Sequence, residues 1–532
     1  MNDAGKPQEA VVAPKAVWLW LVAILVVATL VRVVGLGRVP PPLFRDEAEK
    51  GYNAYCLLKT GCDYEGRRLP LFINVFGAYT SAIYQYASVP WVGLFCLKAW
   101  SVRLTAALVG LATVFFLYLL ARAMLDTPTA LVAAAVLAVS PWHVCFSRWA
   151  QQGIFMPLLF TVAAWGTVRF RQGWRPGLPV AAAAIGLAAY AYDVGRVLAP
   201  LFLLVLAAVA RRELLAHKRW ATVSALLLAV LVAPTLWFVT HQSDEALARF
   251  RRISIAQPGM APAEVVGRFL ANYAAHFNPL YLAHRGDREL RHSPGLGIGE
   301  IYPVELPFLI LGLCLLARRR DAAAAILIGW LAIGPFASSM TREGIPHALR
   351  SLAGVPAFAL ILAVGMVESI RWLSGKTRTA AMTGLVIAEL ACAAFFLAGY
   401  FGSYPRKSLG AWQAGVGEAL AYCRTQGDSV GETWVSESVG GMILPPDWIS
   451  PAEVFVAFYD RIPPQQYEKD RLGQTRFRIA PFGADFNALL TAARTPPMFI
   501  IAFAGELRGQ EPVVVFAQTS SRDYPGIGVY RF

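Results

Sequence analysis

The sequence predicts a polytopic α-helical membrane protein with about eleven transmembrane helices and a small α/β domain at its C-terminal end. Three observations lead there. The 532 residues are 57% hydrophobic and only 15% charged, with a mean hydropathy of +0.49, far from the balance of a soluble domain. Apolar runs close to the roughly 20 residues that cross a bilayer recur between residues 16 and 402. Beyond residue 403 the composition turns to that of a soluble domain.

The runs fall at 16–36, 103–124, 128–146, 154–171, 178–194, 197–210, 219–240, 303–317, 321–340, 350–371 and 379–402. Those at 178–194 and 197–210 are short, with only Gly195-Arg196 between them. The first run is followed by no small-residue cleavage site and reads as a signal anchor, with Trp18 and Trp20 suited to the interface. Net charge is 48 − 34 = +14. The basic residues sit mostly in short loops, so membrane orientation and anionic lipid explain them, and nucleic acid is not implied.

A cytoplasmic N-terminus puts Arg169, Arg171, Arg175, Arg211, Arg212, Lys218, Arg219, Arg318 to Arg320, Arg371, Lys376 and Arg378 on the inside, as the positive-inside rule asks. Shifting the count by one helix would expel all of them. The extracytoplasmic segments are then a long first loop (37–102) with interfacial helices, 147–153, 192–196, a long loop at 241–302, 341–349, and everything after 402. The chain divides into a membrane module at 1–402 and an outer domain at 403–532. In the latter, a helix is expected at Ala411–Arg424 and strands at Met498–Phe503 and Val513–Ala517. Pro445-Pro446, Pro463-Pro464 and Pro496-Pro497 punctuate it.

Chemistry-bearing residues gather on the outer side. Arg45-Asp46-Glu47 follows the first helix, and a carboxylate there can take a proton from an attacking hydroxyl or bind a cation. Asp46 equally suits the first turn of a helix at about 46–59, and Glu47 a salt bridge. Arg148 lies between Trp142 and Trp149 and suits either a donor contact or an interfacial anchor. Asp193 and Arg196 are spaced to pair with one another, and His347 and Arg350 to share one helical face. Arg342, and Arg67-Arg68 before Leu69-Pro70, add cations that suit phosphate. Tyr84, with Tyr52, Tyr79 and Tyr86, offers rings for sugar stacking or interfacial anchoring. No zinc-spaced cysteine pair and no HExxH occurs. Of seven cysteines, Cys56 and Cys62 share the first loop, as a disulfide or as two thiols.

Taken together, FRDEAEKGYNAYCLLKTGCDYEGRRLPLF at 44–72, FGAYTSAIYQYASVP at 76–90, Arg103, SPWHVCFSRWA at 140–150, AYAYDVGR at 189–196 and GIPHALRSLAGVPA at 344–357 resemble the GT-C glycosyltransferases of the protein O-mannosyltransferase and aminoarabinose transferase type. The resemblance spans about residues 16–402. It implies a GT-C-like fold and a sugar transfer, usually inverting, from a polyprenyl-phosphate carrier to an acceptor hydroxyl at the outer face. It maps the family's acid onto the Asp46-Glu47 pair, with Asp46 the closer match to the general base, and Arg67 and Arg68 onto a basic position of the first loop. Where family members often carry a further acid after Arg148, this chain has Gln151-Gln152, so no metal ligand set follows, although a divalent cation stays open. The implied partners are the lipid-linked donor, membrane lipid, and an acceptor that is protein, lipid or polysaccharide. Composition points to a bacterial inner membrane. Two other readings stand beside this one. A lipid or solute transporter would carry charges at mid-membrane, where Glu389 is the main exception to an apolar interior. A ligase of the same architecture would move a preassembled glycan.

Overall fold

A computed structural model describes residues 14–426, 432–442, 448–480, 499–507, 509–518 and 524–532. Pro445-Pro446 and Pro496-Pro497 lie outside them, as does Met498.

All eleven apolar runs fall on helices. Among the described residues, seven helical stretches are long and apolar enough to span: Lys15–Val33, Ala99–Met124, Gln152–Arg171, Lys218–His241, Ala322–Ser339, Leu352–Arg371 and Gly375–Gly402. The pair Thr127–Val139 and Pro141–Ser147 makes an eighth if the two are one span. The expected count of eleven is therefore not reached. Gly177–Ala191 and Gly195–Val209 have 15 residues each and Leu306–Arg318 has 13, about 20 Å of helix against a core of about 30 Å.

The run expected at 128–146 bends by 58° between Val139 and Pro141. Ser140 caps the second half through His143 N, and Pro141 opens it. Proline has no N–H for the carbonyl of Leu137. Arg32 fills the gap: its guanidinium, fully buried, donates to Leu137 O at 3.1 Å and Ala138 O at 2.8 Å. Elsewhere small residues let helices close in. A methyl group on Gly312 would lie 2.1 Å from Ile361 O, and one on Gly365 2.0 Å from Phe308 O, so Leu306–Arg318 and Val355–Arg371 pack backbone to backbone. Lys218–His241 and Gly375–Gly402 bury little of their surface against the protein, as lipid-facing helices do.

After the first helix, Pro14–Val33, the chain forms the helix Arg45–Thr60. A hairpin follows, β1 (Phe72–Val75) with β2 (Ala78–Ser81). Its two-residue turn, Phe76-Gly77, has φ of +52° and +79°, the type I′ geometry that matches strand twist. The helix Ile83–Phe95 then leads into Ala99–Met124.

Beyond Gly402 a five-stranded mixed sheet forms from β3 (Thr433–Ser436), β4 (Phe477–Ala480), β5 (Phe499–Phe503), β6 (Val514–Phe516) and β7 (Ile527–Arg531), in the order β4-β3-β5-β7-β6. β3 runs parallel to β4 and β5, and β7 antiparallel to β5 and β6. Helix Val416–Thr425 starts five residues later than expected because Gly415, at φ +102°, breaks the run. Helix Pro451–Asp460 packs on Arg45–Thr60. Gly51 is the contact point: a methyl group there would lie 2.5 Å from the Phe458 ring and 2.8 Å from Val102. Tyr52 Oη donates to Ile462 O at 3.0 Å. Cys56 and Cys62 are free thiols: the first faces the core, while the second reaches back to Thr60 O.

Candidate active site

The site is built at the N-terminus of helix Arg45–Thr60, and its two adjacent acids have opposite fates. Glu47 is fully buried. Its Oε1 accepts from Arg103 Nε at 2.8 Å and Ala150 N at 3.0 Å, and its Oε2 from Arg103 Nη2 at 2.6 Å and Phe44 N at 3.2 Å. Arg103, equally buried, also donates to the carbonyls of Leu36, Pro40 and Pro41. The carboxylate is a strut that joins the first-loop helix, the second span and the turn after Trp149. Asp46, one residue earlier, is only partly buried. Its side chain is 30% exposed and pairs with Arg45 Nε at 3.8 Å.

A second arginine lies beside Arg45. The Phe44 ring is covered by Arg45 at 4.8 Å and by Arg291 at 3.8 Å. Arg291 in turn pairs with Glu289 at 3.1 Å. Arg45 N donates to Gln413 Oε1, and its Nη1 to Gly440 O and Gly441 O, so the C-terminal part forms a wall. Burial and the nearby Arg291 pull the Arg45 guanidinium below its usual range, while Asp46 and Glu289 act the other way.

The same loop continues into a buried group absent from the sequence prediction. Asp287 Oδ2 accepts from His292 Nδ1 at 2.8 Å and from Ala348 N at 2.8 Å, and His347 Nδ1 lies 4.0 Å from it. Burial pushes the Asp287 carboxyl up, but the His292 hydrogen bond and charge and the N–H groups of Glu289 and Ala348 outweigh it, leaving it below the usual carboxylate range. Burial and the charge of Asp287 hold Glu300 well above its own.

The remaining expected residues divide between this site and other places. Arg350 is buried, donating to Thr341 Oγ1 at 2.7 Å and Glu343 O at 3.0 Å. Arg342 reaches Arg252 O at the surface. Arg148 is fully buried, with Nη1 on Val31 O and Nη2 on Val34 O and Val39 O, stacked under Phe401; it ties down the end of the first helix. Tyr84 is also fully buried, its hydroxyl on Val102 O at 2.9 Å, which leaves no face for a sugar. Around the hairpin a second group forms. Arg67 pairs with Glu65 at 2.9 Å and covers the Tyr79 ring, Arg68 is exposed, and Arg196 meets Asp193 at 3.4 Å and the rings of Phe72 and Phe238. The structure thus brings Asp46 together with Arg45, sets Arg291 beside Arg45 on the Phe44 ring, and joins His347 to the Asp287 group. It sets Arg67, Arg68, Asp193 and Arg196 at the hairpin. A dense run of charge, HRGDRELRH at 284–292, was the available signal for the residues that sequence reasoning missed.

Residues 91–238 match the family model described as dolichyl-phosphate-mannose-protein mannosyltransferase. No curated protein matches the sequence. Among solved structures, ArnT from Cupriavidus metallidurans in the apo state superposes with a TM-score of 0.58 at 14% identity, over 97% of this chain and 98% of that one. ArnT bound to undecaprenyl phosphate matches at the same score and identity, over 98% of each. The archaeal oligosaccharyltransferase AglB from Archaeoglobus fulgidus, in complex with an inhibitory peptide and a dolichol-phosphate, gives 0.52 at 13% identity, over 91% of this chain and 69% of that one. The fold is GT-C. The likeness to ArnT runs over nearly the whole of both chains, at an identity that carries the fold and no individual residue roles.

Proposed function

We propose that this protein is a membrane glycosyltransferase that moves a sugar from a polyprenyl-phosphate carrier to an acceptor hydroxyl, with Asp46 as general base. The observation that carries the reading is the split between neighbouring acids. Glu47 is consumed by Arg103, whereas Asp46 keeps a partly exposed carboxylate beside Arg45, which Arg291 neighbours in turn. The GT-C fold and the undecaprenyl phosphate seen with ArnT support the donor class.

In the transfer, the acceptor oxygen bonds to the anomeric carbon as the bond from that carbon to the phosphate oxygen breaks. The acceptor proton passes to Asp46, and the lipid phosphate leaves with the electron pair. Attack opposite the leaving group inverts the anomeric centre. A positioned base contributes about 10²–10⁴-fold. The departing phosphate needs fixed positive charge, which Arg45 and Arg291 supply without being able to lose it at neutral pH. The C-terminal part, which bonds directly to Arg45, is suited to select the acceptor or close the groove. The basic loops support a cytoplasmic N-terminus, and with it an extracytoplasmic site in a bacterial inner membrane.

The test is native mass spectrometry of wild type and Asp46→Asn for bound lipid. A polyprenyl phosphate on the wild type and its glycosylated form on the variant support transfer and give the sugar's mass; a glycan-sized adduct would indicate a ligase. No polyprenyl species on either, or the same adduct on both with undiminished turnover, would overturn the reading.

A further inference from the structure

Glu389 is the acid that an apolar membrane interior leaves unexplained, and the fold gives it a neighbour. In the last span, Gly375–Gly402, one narrow stripe faces the protein: Leu385, Glu389, Cys392, Ala393, Phe396 and Tyr400. Their spacing is that of one helix face. Val386, Ile387, Leu390 and Phe395 lie off the stripe and are 51–64% exposed, as side chains against lipid are. The stripe packs on the turn Pro303–Glu305, with the Phe396 and Tyr302 rings 6.5 Å apart. There Glu389 and Glu305 are close enough for the charge of one to bear on the other. We propose that Glu305 and Glu389 share a proton, in a carboxyl-to-carboxylate hydrogen bond that clasps the last span to the rest of the protein.

Depth supports the pairing. Leu306–Arg318 begins directly after Glu305, which puts that acid about 20 Å from the helix's basic end. Glu389 stands midway along the 28-residue last span, whose first turn carries Lys376 and Arg378, again about 20 Å from a basic end. The two basic ends lie on one side. Ala322–Ile333 returns from Arg318 towards Gly354, at the start of Val355–Arg371, and that helix ends just before Gly375. Both acids therefore sit at one level, within a hydrocarbon core about 30 Å thick.

The hydrogen bonds of the pair are incomplete. Glu305 is 2% exposed, and its Oε2 accepts from Tyr302 N at 2.7 Å. Its Oε1 has no hydrogen-bond partner, and neither has Glu389 Oε1. Among the described residues no cation bears on either acid. The titratable groups around them are Tyr302, whose hydroxyl donates to Val139 O at 2.7 Å, the Cys392 thiol and, beyond Tyr302, Cys145. Arg32 and Arg148, on the first helix and the bend beside it, are turned to backbone carbonyls. Cys314, Arg318, Glu368 and Arg371 lie towards the basic ends of the adjoining helices. Two ionised carboxylates would repel one another in a medium that solvates neither. One proton between them replaces repulsion with a charge-assisted hydrogen bond, a contact that joins helices where apolar packing is no better than lipid. A metal ion would ask for more oxygen ligands, and the Tyr302 hydroxyl is already committed to Val139. The last span leads into the segment bearing Gln413, which accepts from Arg45 N, so the clasp also steadies one wall beside Asp46. It does not depend on the proposed reaction.

The test compares full-length wild type in detergent with the double variant Glu305→Gln/Glu389→Gln. Infrared spectra at neutral pH are expected to show the carbonyl stretch of a protonated carboxyl in wild type that is lost in the double variant. Thermal unfolding against pH is the second readout. An unfolded glutamate releases its proton near pH ~4.3. Above that, the unfolded chain loses a proton that the folded pair keeps, so stability falls as pH rises until the pair itself ionises. In that window the unfolding temperature of wild type should fall by about 3 °C per pH unit relative to the double variant. If the double variant does not fold, Glu389→Gln and Glu305→Gln serve singly, because a shared proton needs both acids and the band should be lost or displaced in each. A band unchanged in the folded variants, or the same pH slope in all of them as in wild type, would overturn the proposal. So would stabilisation of wild type alone by sodium in place of potassium, which would assign the free oxygens to a cation.

Discussion

Replacing Glu47 and Asp46 separately distinguishes a strut from a reacting group. In Glu47→Gln the side chain keeps its shape and can still accept from Ala150 N or Phe44 N. The Arg103 guanidinium is then left fully buried with only the carbonyls of Leu36, Pro40 and Pro41. Removing one partner of a buried pair costs about 3–5 kcal/mol, and the retained backbone bonds place Gln at the lower end. At roughly 2 °C per kcal/mol for a chain of this size, the unfolding temperature in detergent should fall by about 6 °C. Glu47→Leu combined with Arg103→Met should recover part of the loss, because no charge then stays unpaired, but not all, because the backbone groups named above lose their partners. Asp46→Asn alters a partly exposed carboxylate 3.8 Å from one arginine and should move stability by less than about 1 kcal/mol. Its transfer activity should fall by about 10²–10⁴-fold. The assays are thermal unfolding and lipid-linked sugar transfer on the same preparations. A Glu47→Gln protein that unfolds with wild type yet is inactive would refute the division of roles, as would an Asp46→Asn protein that unfolds early.

Other consequences follow from the same contacts. Arg148→Met should lower stability by about 2–4 kcal/mol, since the carbonyls of Val31, Val34 and Val39 lose their donor inside the protein; an unchanged unfolding temperature would mean water reaches them. Gly51→Val should loosen the C-terminal part from the first-loop helix because of the Phe458 and Val102 contacts, read as faster protease cleavage beyond residue 402 with the membrane helices intact. Asp126 caps Thr127–Val139 through Thr129 N and pairs with Arg371 at 2.9 Å. Burial raises its pKa, yet these partners outweigh that and hold it below the usual value. A lowered folded value means the contribution is complete above the unfolded pKa of about 3.9 and is lost as pH falls through the folded one. Asp126→Asn, which still caps, should flatten that acid limb and leave stability at pH 7 within about 1 kcal/mol.

The membrane helices were legible because each is a long apolar run, and such a run has few alternatives to a helix. The bend before Pro141 was not read from the sequence, because hydropathy runs unbroken across 128–146. Three of the eleven expected runs form helices of only 13–15 residues, which hydropathy does not separate from runs of 20. At the site, the acids of the first loop stood out, but nothing local separated Asp46 from Glu47. That distinction depends on Arg103, 56 positions away, and on Ala150. Arg148 and Tyr84 looked like binding groups because their types and neighbours suit an interface, whereas long-range burial made them structural. Asp287 and His292 were invisible as a set because His347 joins them only in three dimensions. In the C-terminal part, hydrophobic alternation located β5 and β6 to within a residue or two, but parallel pairing with β3 and β4 has no short-range sequence signal.

Arg45 links residues that a modular view of this chain would treat separately. Its backbone and guanidinium are bonded to Gln413, Gly440 and Gly441, while the next residue is Asp46. Exchanging the tail for that of a relative is therefore not a neutral graft. A chimera that omits those three acceptors would free the arginine to swing over the acid and mask it, so a lost activity would be mistaken for a lost acceptor preference. Transplants meant to alter specificity should carry Gln413 and Gly440-Gly441 with the donor segment, or exchange Arg45 along with them.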